Sequence, residues 1–581
     1  MRATMGAAAL LLSGLLAPAA GTSAGAADQA WQVVFMPGAS HLSEPSLAVG
    51  YDGSVYVAAP ALGRPGAGDP GETAADTLVL YRSRDGGRAY SRIDLHDANL
   101  GGLDGDVDAL PDGTVNAADS EDASSGTGGV YVYHSGDGFT SRAPGTSVGS
   151  DEDRPWLGHL CNRLAYLAYR DFATGEIGMY SSPDGGRSWG TVPSLVSSNI
   201  GIKAPGGPPN QLDTVADTFP GRVAVDQRSG EIYVTYGVSF LEDNLLPVPY
   251  GLSGATYPNA VVVASSTDGG LTFSNSYAFV SPPGTVAGPI FPSLALDQAG
   301  TVYVSWAGNA ESNERSDVSY AYSSDRGKHW SGPRLVAAGG ANILPVVAAG
   351  DPGTLDIAWY SAAAGTKVAL APPDAGQPVP RVDWNVEFAQ VRGADSAAPS
   401  VLRSRVSQRP VHHGTVCVEG SNACAPLTHS NKRVDRTLRD FMSIAIGPTG
   451  EAYVAWADNG QLAPDRVPRD NFLDNHLAVA VQSGGPPAFS RKYDVCGRSI
   501  GVTPASAALP AVPAGPQHDV RGDLPMTGTA PVPVGFAAVA LGMIVVGAAA
   551  FAPRLQGLTR APRRSIFWPL KAGGRFRRRR Q

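Results

Sequence analysis

The chain has 581 residues, 43% of them hydrophobic, with 71 Gly, 47 Pro and a formal charge of −8 at pH 7. Aromatic and β-branched residues remain plentiful among the turn-forming ones, which excludes a disordered chain and predicts a turn-rich β protein with a core large enough to fold alone. Ten basic residues lie in the last 29, and without them and Arg2 the chain has 33 basic and 52 acidic residues, a charge of −19. A charge of this sign disfavours nucleic acid as a partner and suits an exported protein or one that holds cations.

Residues 1–27 carry the features of a secretory signal peptide. Arg2 is followed by an apolar run, Ala7–Leu16, and by small residues suited to cleavage at Ala17–Ala19 and Ala24–Ala26. The alternative, an uncleaved signal anchor, is disfavoured because the apolar run is too short to span a bilayer comfortably. The sequence therefore predicts export, with the bulk of the chain outside the cell.

A short apolar strand, a Gly turn and a second strand recur through residues 28–499. The three strongest copies begin at Pro45, Pro292 and Met442. Weaker copies begin near Asp106, Pro155, Arg222 and Pro345. Repeated units of this kind predict an all-β propeller of four-stranded blades around a central channel, with seven blades favoured and six as the alternative because two of the weaker copies are degenerate. Separate β-sandwiches would need linkers that the sequence lacks.

Each copy is followed by a third strand, and most copies by a fourth. The predicted third strands are Leu78–Tyr81, Val130–Tyr133, Ile177–Tyr180, Ala260–Ala264, Val318–Tyr322, Val386–Ala389 and Leu477–Val481. Four of the turns after these strands share the pattern S-x-D-x-G-x-x-[WFY]. Their aspartates are Asp85, Asp184, Asp268 and Asp325.

This pattern resembles the Asp-box of the sialidase-like BNR-repeat family. Its chemistry fits a hairpin, because Asp and Ser oxygens accept loop N–H groups, Gly takes positive φ and the aromatic residue covers the turn. The four aspartates are therefore predicted to be structural residues on the rim and not catalytic carboxylates.

Residues at the start of the first strands converge on the channel from different blades. The charged residues at these positions are Glu44, Asp104, Asp106, Asp108, Asp153, Arg154, Arg222, Asp435, Arg436 and Asp440. Carboxylates and guanidinium groups that meet in one funnel can bind an anionic sugar or perform acid/base chemistry on a glycosidic bond. The alternative is that these charges satisfy strand ends and pair across blades.

The sialidase resemblance implies three arginines that clamp the substrate carboxylate, a Tyr nucleophile activated by Glu, and an Asp as general acid. Arg154, Arg222 and Arg436 are the candidate clamp. Asp106 or Asp440 is the candidate acid. The family's N-terminal [FY]-R-I-P motif is absent, and His41–Ser46 stands in its place.

These features favour a propeller that binds a glycan or protein ligand at its channel mouth, without conventional sialidase chemistry. One alternative is an exo-sialidase or another glycoside hydrolase on the same scaffold, and a second is a structural surface spacer. No cofactor is predicted, because zinc, redox and nucleotide motifs are absent. The acidic stretches Asp104–Asp108 and Asp151–Asp153 make Ca²⁺ binding an open alternative to a solvated acidic loop.

Four cysteines in an exported chain indicate disulfides. Cys417 and Cys424, with six residues between them in a Gly/Ser/Asn loop, are the natural local pair. That pairing leaves Cys161 and Cys496 for a long-range bond. The neighbouring His412-His413 is interpreted as a solvent-exposed pair, with a weak metal site as the alternative.

The C-terminal region predicts a surface anchor. Residues 500–523, rich in Pro and Ala, are interpreted as a stalk. Residues 524–528 read Leu-Pro-Met-Thr-Gly and resemble the sortase signal LPxTG, which implies cleavage between Thr527 and Gly528 and attachment to peptidoglycan. A transmembrane helix over residues 532–552 and a basic cytoplasmic tail over residues 553–581 follow in the expected order. A plain membrane anchor is the alternative to wall attachment.

Overall fold

The structure is a computed structural model, and its described residues form strands and turns. It describes residues 29–38, 42–61, 77–93, 95, 104–120, 129–141, 144–149, 152–171, 174–197, 200–202, 213–240, 260–281, 291–308, 316–363, 382–414, 416, 438–461 and 475–501. The chain divides into two compact units, Met1–Ala511 and Val512–Gln581, and all of the described residues belong to the first. Within these residues no helix has the length and hydropathy needed to span a membrane. The predicted signal peptide, sorting motif, transmembrane helix and basic tail lie outside the described residues, as does the stalk beyond residue 501.

The described strands are numbered in chain order. The first sixteen are β1 (Ala30–Phe35), β2 (Ser46–Val49), β3 (Val55–Ala61), β4 (Thr77–Ser83), β5 (Ser91–Ile93), β6 (Asp104–Ala109), β7 (Val115–Ser120), β8 (Val130–Ser135), β9 (Gly145–Ser147), β10 (Glu152–Leu160), β11 (Leu164–Asp171), β12 (Ile177–Ser182), β13 (Ser194–Ser197), β14 (Ile200–Ile202), β15 (Asp213–Val225) and β16 (Ile232–Phe240). The others are β17 (Ala260–Ser266), β18 (Ser274–Val280), β19 (Ser293–Leu296), β20 (Val302–Gly308), β21 (Ser316–Ser323), β22 (Arg334–Ala349), β23 (Thr354–Ala362), β24 (Asp383–Arg392), β25 (Ser400–Arg405), β26 (His412–His413), β27 (Ser443–Ile446), β28 (Ala452–Asp458), β29 (His476–Gly484), β30 (Tyr493–Val495) and β31 (Arg498–Ile500).

These strands form a β-propeller. Five separate sheets of four or five strands are single blades: β2–β5, β6–β9, β10–β13, β14–β18, and β27–β29 with β1. The eight-stranded sheet contains two more, because β22 pairs with β21 through its first half and with β23 through its second half. The described residues therefore contain seven units of at least four strands, which we call blades 1 to 7 in chain order; the inner, first strand of blade 4 is β15.

The ring is closed by contacts between the first strands. Neighbouring first strands touch in the order β2, β6, β10, β15, β19, β22 and β27, and β27 touches β2 again. The N-terminal strand β1 pairs antiparallel with β29 and supplies the outer strand of blade 7. The all-β propeller expected from the sequence is thus the fold of the protein.

Both faces of each blade are buried, which explains the continuous apolar runs in the strands. In β3, Val55 and Val57 pack toward blade 7, whereas Tyr56 and Ala58 pack toward blade 2. Seven clusters of buried side chains each join two neighbouring blades. The core is therefore a set of blade-to-blade interfaces around the ring.

A C-terminal strap, residues 485–501, crosses the face at which the first strands end. It begins at blade 7, and its Ser490 N–H and Tyr493 hydroxyl donate to the Asp351 carboxylate of blade 6, both over 2.7 Å. At its far end Cys496 forms a disulfide with Cys161, in the β10–β11 turn of blade 3. The long-range cysteine pair left over in the sequence is therefore bonded, whereas Cys417 and Cys424 lie outside the described residues.

A buried polar network holds the start of the strap against blade 6. The Gln390 amide donates to Asp356 over 3.0 Å and to the Pro486 carbonyl over 3.1 Å. The Arg392 guanidinium donates to the Pro487 carbonyl over 2.9 Å. Burial raises the pKa of Asp356 to about 7, although Gln390 and Arg392 oppose that shift.

Cys496→Ser should destabilise the fold, because the disulfide joins residues 335 positions apart and restrains the unfolded chain. We expect a loss of about 2–4 kcal/mol in the free energy of unfolding, measured by urea denaturation. The double variant Cys161→Ser/Cys496→Ser controls for the unpaired thiol and should match the single variant. Unchanged stability in both variants would contradict the strap's role.

Candidate functional site

The channel mouth is the end of the ring at which the first strands begin. Charged side chains from four blades meet there. They are Glu44, Asp104, Asp153, Arg154, Arg439 and Asp440. Four carboxylates thus face two guanidinium groups, an excess of negative charge.

Arg154 is the centre of this cluster. Its Nη2 donates to Oδ2 of Asp440 over 2.6 Å, and its Nη1 donates to Oδ1 of Asp104 over 3.4 Å. Asp153 adds a third carboxylate 3.7 Å from Nε. Burial alone would lower the pKa of Arg154, but the surrounding carboxylates raise it well above the usual value for arginine. The guanidinium is therefore fixed in its charged form.

At Asp104 the effect of burial on the pKa outweighs that of the neighbouring guanidinium. Asp104 is buried, and burial raises the pKa of its carboxyl well above the ordinary value. Arg154 opposes this shift, whereas Glu44 and Asp153 add to it. Asp104 therefore holds a proton more tightly than an exposed aspartate does, and it lies beside a permanently charged guanidinium.

The backbone at the mouth is strained. Glu44, Arg154 and Arg439 have φ values of 51°, 54° and 49°, in the left-handed region that favours glycine. Glu44 and Arg154 also each precede a proline, Pro45 and Pro155, which restricts their backbone further. Strained residues persist where the surrounding structure enforces them, and they concentrate at binding and catalytic sites.

The first strand of blade 2 carries a ladder of carboxylates down the channel. Asp104, Asp106 and Asp108 alternate along β6 and so share one of its faces. Each is paired with a cation from another blade: Asp104 with Arg154, Asp106 with Arg222 over 3.1 Å, and Asp108 with His159 over 2.8 Å.

Asp106 is the most fully bonded member of the ladder. Besides Arg222 it accepts the Ser46 hydroxyl and, over 2.7 Å, the Leu157 N–H. Burial raises the pKa of Asp106, and Arg222 opposes the shift. These bonds tie blades 1, 2, 3 and 4 together.

An aromatic cluster separates the two arginines. Trp156 and Phe291 both contact Phe441, with ring centroids 5.0 and 6.3 Å apart. The Arg154 guanidinium lies 4.5 Å from the Phe291 ring, and that of Arg222 lies 4.2 Å from the Trp156 ring. Each arginine is thus held by a ring and by its own carboxylates.

The described residues include two of the three arginines of the predicted clamp. Arg154 pairs at the mouth with Asp440, as the sequence-based convergence suggests, whereas Arg222 pairs deeper in the channel with Asp106. Arg436 lies outside the described residues, as does Asp435. Arg439, which sequence reasoning missed, lies at the mouth instead, with Nη1 3.8 Å from Oε2 of Glu44.

The Asp-boxes have the predicted hairpin geometry. In the first box Ser83 donates to Asp85 over 2.7 Å, and Asp85 accepts the N–H groups of Arg88 and Ala89, both over 3.0 Å. The same pattern recurs at Asp184, Asp268 and Asp325. The boxes lie on the face opposite the channel mouth, which we call the box face.

A fifth box was not predicted. Ser135 donates to Asp137 over 2.8 Å, and the Phe139 N–H donates to Ser135 over 2.7 Å. Phe139 occupies the position held by glycine in the other boxes, with φ 60°, and so hides the motif from the sequence pattern.

Boxes also join neighbouring blades. A Cβ on Gly87 would lie 2.9 Å from the Tyr453 ring of blade 7, so only glycine allows this contact. The Asn116 amide of blade 2 donates to the Gly185 carbonyl of the third blade's box over 3.0 Å. The boxes therefore stabilise blade-to-blade packing as well as their own turns.

Asp268→Asn should reduce stability near neutral pH and have little effect near pH 2. Hydrogen bonds from the Thr272 hydroxyl and N–H and from Ser266 lower the pKa of Asp268 to about 2. A carboxylate with a lowered folded-state pKa stabilises the fold above its unfolded-state pKa, and this contribution is lost as the pH falls through the folded-state value. Thermal melts at pH 7 and pH 2 measure the effect, with exposed Leu271→Ala in the same turn as the control.

No group of three or more His, Cys, Asp or Glu within the described ranges is arranged to hold a metal ion. Asp104, Asp106 and Asp108 instead have separate cationic partners. The interpretation of His412-His413 as exposed is wrong for His412, which is buried and bonded to Asn459 over 2.9 Å. His413 contacts Asp383 over 2.7 Å.

Comparison with solved structures finds propellers of low sequence identity. A polysaccharide lyase of family PL25, an ulvan lyase, is 14% identical over 73% of this chain and 93% of its own, with a TM-score of 0.41. An α-L-arabinanase of Penicillium chrysogenum is 13% identical over 78% and 97%, with a TM-score of 0.34. The leech intramolecular trans-sialidase is 13% identical over 76% and 68%, also with a TM-score of 0.34. No family model matches the chain, and no curated protein is a match.

Proposed function

We propose that the protein is a sialidase-like propeller, displayed on the cell surface, that binds a glycan or protein ligand at its channel mouth without conventional sialidase chemistry. The observation that carries the proposal is the strained cluster of Glu44, Arg154 and Arg439. Leu344 in blade 6 has the same conformation, with φ 54°, so the strain recurs in the fold, and the charged side chains at the other three positions around one opening are what favours a ligand there.

The charge at the mouth favours a neutral or cationic ligand over an anionic sugar. Arg154 is already neutralised by Asp104 and Asp440, and carboxylates outnumber guanidinium groups in the cluster. A substrate carboxylate would have to displace these ion pairs. In a buried site the free energy lost by breaking them exceeds the free energy gained from the new contact. A glycan that offers hydroxyl or amino groups meets no such barrier.

A glycoside hydrolase is the second candidate. The raised pKa of Asp104 supports it, because a carboxyl that stays protonated can serve as a general acid. Among glycoside hydrolases, a sialidase would be the least compatible with the acidic mouth, because its substrate is anionic. A structural spacer would need no ligand at all.

The test is a glycan array and a panel of fluorogenic glycosides, including a sialoside, with the purified full chain. We expect retention of a neutral or amino-bearing glycan and no turnover of the sialoside. Asp153→Asn should weaken retention, because it removes a carboxylate charge from the mouth, 3.7 Å from Nε of Arg154. Asp494→Asn, an exposed substitution in β30 away from the mouth, is the matched control.

Each other result selects an alternative. Turnover of any glycoside that Asp104→Asn abolishes would replace the binding proposal with hydrolysis. Absence of binding and turnover by folded protein would leave the spacer.

We also propose export and sortase-dependent attachment to peptidoglycan, on the order of sorting motif, apolar span and basic tail in residues 524–581. Thr527→Ala should move the protein from the wall fraction to the membrane fraction of the cells. An unchanged wall fraction would rule out cleavage between Thr527 and Gly528.

A further inference from the structure

A cavity lies at the other end of the channel from the mouth, on the box face and below the strap. Its volume is about 270 Å³, near the lower end of the roughly 300–1,000 Å³ of ligand pockets. Blades 1, 2, 3, 4 and 7 form the walls, and the strap residues Phe489 and Ile500 contribute to its cover. A cavity of this size admits one small molecule.

The polar wall of this cavity contains the His159 imidazole, and one of its two nitrogens has no hydrogen-bond partner in the described structure. Nδ1 of His159 contacts Asp108 over 2.8 Å, while its Nε2 is buried without a hydrogen-bond partner in the described structure. Buried polar atoms in native proteins are nearly always bonded, so Nε2 requires a partner that the chain does not supply. Tyr51 and Arg222 add a hydroxyl and a guanidinium to the same wall.

The remaining walls are apolar, and the charges cancel. Leu47, Val107 and Leu157 face the cavity with strap residues Phe489 and Ile500. Across from them Arg222 and His159 are each paired with a carboxylate, and although burial lowers the pKa of the His159 imidazole, Asp108 raises it further, so that the net shift favours the charged imidazolium. A ligand that fits has an apolar face, several hydroxyl groups and no net charge.

We propose that this cavity is a binding site for one neutral sugar ring, bonded to Nε2 of His159 and enclosed by the disulfide-tethered strap. This site is separate from the channel mouth and does not depend on the function proposed there. The strap is anchored on Asp351 at one side of the ring and on Cys161 at the other, and so it limits exchange of the bound ring with solvent.

Titration of the full chain with free monosaccharides, followed by ligand-observed NMR, tests the proposal. The probes are glucose, galactose, mannose and N-acetylglucosamine, with glucuronate as the anionic comparison. We expect saturable binding of at least one neutral sugar at millimolar concentration and a loss of about tenfold or more in affinity in His159→Gln. Cys496→Ser should accelerate exchange of the same sugar.

Two controls keep the result interpretable. Asp108→Asn removes the carboxylate that orients the imidazole and should also weaken binding, even if His159→Gln fails to fold. Leu271→Ala, an exposed substitution in an Asp-box, should leave it unchanged, whereas a loss in Asp153→Asn equal to that in His159→Gln would assign the sugar to the mouth and overturn the proposal. Absence of saturation by any neutral sugar would leave a cavity that holds only water, and tighter binding of glucuronate would overturn the assignment of a neutral ligand.

Discussion

Arg154→Ala is expected to cost about 3–5 kcal/mol in the free energy of unfolding. The change leaves the carboxylates of Asp104, Asp153 and Asp440 together in a buried site without their shared cation. It also removes the guanidinium from the face of Phe291. Urea denaturation followed by tryptophan fluorescence measures the loss.

Two further variants show whether this loss arises from the ion pairs. Arg92→Ala, an exposed arginine in β5, should change stability by no more than about 0.5 kcal/mol. Arg154→Lys keeps the charge but not the planar fork, and it should recover part of the loss. If Arg154→Ala were as stable as the parent, the mouth cluster would not hold the blades together.

Asp356→Asn should remove a pH-dependent weakness of the fold. Because the folded-state pKa of Asp356 is raised to about 7, the folded state binds a proton more tightly than the unfolded state, and stability falls as the pH rises from the unfolded-state value through about 7. The full shift corresponds to about 4 kcal/mol. The unfolding free energy of the variant, relative to that of the parent, should therefore be about 3–4 kcal/mol higher at pH 8 than at pH 4.

Denaturation of both proteins at pH 4 and pH 8 measures this change. Asp494→Asn, an exposed substitution in β30, should leave the pH dependence as it is in the parent. A difference between Asp356→Asn and the parent that stays constant from pH 4 to pH 8 would show that the carboxyl is not protonated in the fold.

The sequence predicts most of the blades because their signals are local. Apolar runs separated by Gly turns recur in register with the third strands, and four Asp-boxes mark hairpin ends. The shared strand β22 is harder to foresee, because one continuous strand serves two blades. The fifth box escapes because Phe139 takes a backbone conformation that the motif assigns to glycine.

The site is less predictable than the fold, because its partners come from different blades. Alternation in β6 indicates that Asp104, Asp106 and Asp108 share a face, but only the closed ring shows that Arg154, Arg222 and His159 pair with them. His159 has a usable signal, since it lies on an inner strand at alternate spacing from Leu157. The clamp stays a prediction, because Arg436 lies outside the described residues and sequence convergence does not give depth along the channel.

Blade 7 combines the N-terminal strand β1 with strands from the other end of the propeller, and this determines when the protein can fold. Trp31, near the start of the chain, pairs with Gln482, near the end of the described structure. Synthesis therefore produces β1 long before its partner β29, and the ring cannot close until nearly the whole chain has been made. Until then the first-made strand has an unpaired edge that neighbouring chains can capture, so this fold requires that β1 be shielded while translation continues.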